Sequence, residues 1–65
     1  MSEPTVAIVV RVGECDVREL PGCRMPYGEA LAWMRQAYKQ ADAPDYDLVY
    51  VTADGQLGRY ASWVL

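Results

Sequence analysis

The dipeptide Asp54-Gly55 lies between two runs rich in apolar and aromatic residues, Tyr46 to Thr52 and Leu57 to Leu65, and reads as the turn of a β-hairpin. With Asp54 and Gly55 as the two central residues of a type I′ turn, both at positive φ, the register follows. Ala53 faces Gln56, Tyr50 faces Arg59, Leu48 faces Ala61 and Tyr46 faces Trp63. Side chains alternate across a strand, so one face of the hairpin carries Tyr46, Leu48, Tyr50, Ala61 and Trp63. The other carries Asp45, Asp47, Val49, Val51, Tyr60, Ser62 and Val64. A two-stranded ribbon is only marginally stable in water, and the aromatic face needs a cover.

The cover is written upstream. From about Pro26 to Asp42 the apolar period changes to that of a helix. Ala30, Leu31, Trp33, Met34, Ala37, Tyr38 and Ala41 form one side, and Glu29, Arg35, Gln36, Lys39 and Gln40 the other. Pro26 suits a first turn, Glu29 complements the positive end of the helix dipole, and Lys39 suits the last turn. Asp42 opens the loop Ala43-Pro44.

Thr5 to Val12 reads T-V-A-I-V-V-R-V, β-branched and apolar at both parities, as in a strand buried on both faces. Gly13 and Glu14 begin a turn, and alternation from Cys15 to Leu20 allows a short second strand. Two prolines and a glycine between Pro21 and Pro26 are expected to stop regular structure. The sum is one α+β domain over residues 1–65. An antiparallel sheet of three or four strands carries one amphipathic helix on one face, ordered β-β-α-β-β or β-α-β-β. At 65 residues such a chain buries only about 60% of its unfolded surface, and its stability is modest.

The residue inventory narrows the chemistry. The chain has no histidine, so the commonest general base and zinc ligand is missing. The glycines at 13, 22, 28, 55 and 58 never take phosphate-cradling spacing. Ser62, Cys15 and Cys23 have no imidazole to activate them, which leaves only a thiol beside Arg18 or Arg24 as a nucleophile. The two cysteines lack C-x-x-C spacing and read as free thiols, a bridge across Pro21-Gly22 being the alternative in an oxidising compartment. The acidic stretch D-A-P-D-Y-D lacks the glycine and distal glutamate of a calcium loop. We therefore expect no enzyme, no cofactor and no metal.

The longest apolar run, Val6 to Val10, is too short for a membrane span or a signal peptide, so a cytoplasmic protein is expected. A net charge of -3 has the wrong sign for neutralising phosphates, so nucleic acid is not expected to bind directly. That charge steers the protein toward basic surfaces on other proteins. The acids group as Glu14, Asp16 and Glu19, then Asp42, Asp45 and Asp47, with Asp54 at the hairpin tip. Asp45 and Asp47, two apart in a strand, project on one side about 7 Å from each other. With Tyr60 as an apolar anchor they form the expected partner-binding set, next to an open sheet face of Val49, Val51, Tyr60 and Val64. Tyr27, Trp33, Tyr38, Tyr46, Tyr50, Tyr60 and Trp63 have no basic groove beside them for base stacking, and Trp33 and Trp63 are expected to pack helix against sheet.

A small acidic β-rich chain with one amphipathic helix, opening M-S-E-P-T-V-A-I-V-V and closing on the D-G hairpin and A-S-W-V-L, resembles the small phage-encoded anti-CRISPR proteins. The resemblance covers size, charge and element order, and transfers no site residue by residue. It implies a monomeric inhibitor in the bacterial host cytoplasm that binds a type I CRISPR surveillance complex, type I-C within that class, and blocks its DNA-binding surface. Two mechanisms are open: partial DNA mimicry by the carboxylates, or steric occlusion through the open face with the acids supplying steering. The alternative is a self-associating structural or regulatory phage protein.

Overall fold

In a computed structural model, which describes residues 3–63, the elements run β1 (Thr5–Arg11), β2 (Val17–Pro26), α1 (Tyr27–Ala37), β3 (Tyr46–Val51) and β4 (Leu57–Tyr60). The strands make one antiparallel sheet in the order β2-β1-β3-β4, so the architecture is β-β-α-β-β. β1 is central and β-branched, and Val6 to Val9 are fully buried, as expected of a strand covered on both faces. On the helix side, Val6, Ile8, Ala30, Met34, Leu48 and Ala61 form the core, with Trp33, Tyr46, Tyr50 and Trp63 packed around them. The aromatic face of the hairpin is the face that α1 covers.

Residues 21–26 do not stop regular structure; β2 runs through them to Pro26. The prolines are tolerated because β2 is an edge strand, where a missing N–H breaks no ladder bond. The irregularity expected there is absorbed as a bulge. Ala7 pairs with Arg24 while Val9 pairs with Glu19, so residues 20–23 bow out opposite Ile8. Gly22, at φ 72°, supplies the left-handed residue at the exposed crest, while Leu20 and Cys23 turn inward onto the core. Strand then becomes helix without a loop, Pro26 being both the last residue of β2 and the N-cap of α1.

Three further expectations are corrected. The helix ends at Ala37 rather than Asp42, leaving Lys39 beyond it, and residues 38–42 continue as turns held by i→i−3 bonds such as Gln40 N to Ala37 O at 3.3 Å. Its end is fixed by Tyr38, whose hydroxyl accepts from Tyr46 N at 2.8 Å and donates to Tyr46 O at 3.2 Å. The hairpin turn has three residues, not two. Gly55 N bonds Thr52 O at 2.9 Å, Thr52 N bonds Gln56 O at 2.8 Å, and of the turn residues Gly55 alone has positive φ, at 85°. Val51 accordingly faces Leu57, displacing the expected Ala53–Gln56 pairing, and a second irregularity at Gly58 restores the register so that Val49 faces Tyr60. Ala61 N bonds Leu48 O at 2.8 Å, as the sequence register requires. β4 stops at Tyr60, short of the run to Leu65 that the sequence suggested; Val64 and Leu65 lie outside the described residues.

Candidate functional site

The sheet face turned away from α1 is not the open surface expected. Ala7, Val9 and Val49 lie on it and are buried without a helix above them. The cover is local. Arg24, Ala7, Val49 and Tyr60 form one cross-strand row, and the Arg24 guanidinium crosses that row to donate to Gly55 O in the β3–β4 turn at 2.9 Å. The same guanidinium grips Glu19 through two bonds, of 2.7 and 3.1 Å. This fork holds the Glu19 carboxyl below its ordinary range, the hydrogen bonds favouring its charged form. The apolar groups left exposed on this face lie at its two edges: Leu57 and Tyr60 on β4, with Val51 half-buried beside them, and Val17 on β2.

The acids expected to bind a partner divide into three groups. Glu19 and Asp47 are used inside the fold. Asp47 Oδ1 accepts from the Trp63 indole N–H and from Leu48 N, each at 3.0 Å, and its other oxygen stands 3.9 Å from Arg11. Asp45 precedes β3 rather than sharing it, so the expected Asp45–Asp47 row of free charge does not form. Asp54 accepts from the Thr52 hydroxyl at the hairpin tip, which lowers its pKa, and lies at the opposite end of the sheet from the other loops. Glu14, Asp16, Asp42 and Asp45 are exposed, and none forms a salt bridge among the described residues. Backbone bonds gather their loops: Arg11 N donates to Asp45 O at 2.9 Å and Val12 N to Asp16 O at 3.0 Å. One end of the sheet thus presents both acidic loops, on either side of the last residues of β1.

No family model, curated protein or solved structure matches this chain. The residues themselves must carry the functional reading. Cys15 is an exposed free thiol and Cys23 a half-buried one. Among the described residues, no three His, Cys, Asp or Glu side chains converge as a metal site, and no helix is long and apolar enough to cross a membrane.

Beside the acidic end lies a pocket of about 290 Å³, walled by α1 and the turn after it on one side and by the approach to β3 on the other. Trp33 and Tyr46 form its aromatic wall, packed edge to face with ring centres 4.9 Å apart, and Ala43 and Pro44 also line it. So do Gln36 and Gln40, both exposed. Trp33 packs on the core from the other direction, as the sequence suggested, while Tyr38 stacks on Trp63 at 5.8 Å and 19°. Sequence reasoning assigned Gln36 and Gln40 to a solvated helix side and missed the pocket. The available signal was the spacing of Trp33, Gln36, Ala37 and Gln40, which share a helical stripe aimed at Pro44. A second hollow, of about 510 Å³, borders Pro4, Tyr50 and Arg59, and brings its own cation, Arg59, which lies 5.7 Å from the Tyr50 ring centre.

Proposed function

We propose that this protein is a non-enzymatic inhibitor that docks its acidic end against a basic, nucleic-acid-binding surface of a protein partner. The observation carrying the proposal is the gathering of Glu14, Asp16, Asp42 and Asp45 at one end of the sheet, exposed and without salt bridges among the described residues. Carboxylates left in water lose little on meeting lysine and arginine, and they accelerate encounter with a positive surface. The resemblance in size, charge and element order supports as partner a type I CRISPR surveillance complex in the bacterial cytoplasm, type I-C within that class. Partial mimicry of the DNA backbone fits the exposed acids; the largely covered sheet face gives occlusion through Val49 little support. The test is capture of a type I complex by the tagged protein at low and high salt, followed by a DNA-binding assay. Asp16→Lys with Asp45→Lys should abolish salt-sensitive capture and restore target-DNA binding. Undiminished inhibition by that folded double variant rejects the acidic end as the contact.

A second reading has its own support. Leu57 and Tyr60 are exposed on an edge strand, which favours pairing of two copies through β4. Sedimentation across a hundredfold concentration range tests it: a dimer that Tyr60→Lys dissolves supports self-association, and a monomer throughout dismisses it.

A further inference from the structure

We infer that the Trp33–Tyr46 pocket is an arginine socket, taking one guanidinium side chain from the basic partner surface. The inference rests on the proposed partner being basic and names the anchor within that contact. Three observations converge. Two aromatic rings, Trp33 and Tyr46, line the pocket, and a planar guanidinium packs against aromatic side chains better than a compact ammonium. The pocket lies at the carbonyl end of α1, where the helix dipole favours positive charge. Its third wall, Ala43-Pro44, is bracketed in sequence by the exposed Asp42 and Asp45, and no cationic side chain lines it.

The carboxamide oxygens of Gln36 and Gln40 can accept from the guanidinium N–H groups without the desolvation cost of a buried carboxylate. The second hollow lacks this complementarity because Arg59 already stands in its wall. Partner recognition would therefore combine an outer ring of carboxylates that steers with a central slot that selects arginine over lysine.

The test uses the whole protein, labelled with ¹⁵N, titrated with N-acetyl-Gly-Arg-Gly-amide and with matching lysine and norleucine peptides. The arginine peptide should saturate shifts at the Trp33 indole N–H and the Gln36 and Gln40 carboxamides, while the Trp63 indole, bonded to Asp47, stays still. Its affinity should exceed that of the lysine peptide by about fivefold and that of the norleucine peptide by about tenfold. Gln36→Lys, at an exposed position, adds an ammonium to the lining; with a native spectrum retained, it should weaken the arginine peptide about tenfold. An arginine peptide that never saturates, a norleucine or lysine peptide that binds equally well, or indifference to Gln36→Lys each overturns the socket. Because the titration needs no partner, a failed socket leaves the acidic-end reading intact, and a missing partner leaves the socket standing.

Discussion

Tyr38 does two jobs with one oxygen: its hydroxyl satisfies both backbone groups of Tyr46, standing in for a strand where β4 does not reach. Tyr38→Phe removes that oxygen and strands a partly buried N–H, so we expect a loss of about 1–3 kcal/mol, measured by urea denaturation. In so small a domain that corresponds to a fall in melting temperature of roughly 4–8 °C for each kcal/mol. Glu19 gives a pH signature instead. Arg24 bonds its charged form and lowers its folded pKa, so the associated stability is fully present above the ordinary value of 4.5 and is lost as the pH falls through the lowered folded value. Glu19→Gln should flatten the stability profile below pH 4.5 relative to the parent and leave its slope near neutrality unchanged, a difference that thermal melts in acid buffers will read directly.

At the scale of elements, the three-residue turn depends on Gly55. At φ 85°, Gly55→Ala should cost about 1–2 kcal/mol. The same change at Gly13, where an added methyl meets no atom within 4 Å and φ is not positive, should cost far less. Equal effects in denaturant melts would contradict the observed turn. Met34, fully buried where α1 meets the sheet, should cost about 2–5 kcal/mol as Met34→Ala, enough to unfold much of the population at 37 °C. The sequence made these elements legible wherever a period was sustained: the apolar run of β1, the helical stripe through Ala30 and Met34, and the alternation around Leu48. It misled where tertiary contacts decide. Pro21 and Pro26 look like breakers until β2 proves to be an edge strand, and the helix pattern continues past Ala37 until the Tyr38 hydroxyl commits to Tyr46. The hairpin turn was placed correctly and its type was not, because Asp54-Gly55 fits both a two-residue loop and a three-residue one. At the candidate site, the exposure of Asp42 and Asp45 could be anticipated from their loop, whereas the capture of Glu19 by Arg24 depends on a bulge that no local pattern announces.

Across the whole molecule, charge and topology act together. Both acidic loops are connections between elements, so their charges can be changed without touching the core. The Asp16→Lys, Asp45→Lys protein should therefore melt within a few degrees of the parent while losing partner capture, a separation that calorimetry alongside the pull-down will show. The sheet order adds a different consequence. Each hairpin joins strands that follow one another along the chain, but β1 and β3 come from opposite halves, and their pairing from Val6–Tyr50 to Val10–Tyr46 alone fuses the two hairpins into one sheet. The entropic cost of closing that large loop falls on a single event. During synthesis the first strand must wait, with one side unpaired, until the third has been made. Whatever shields that waiting edge in the cell will govern how much of the chain reaches its final form.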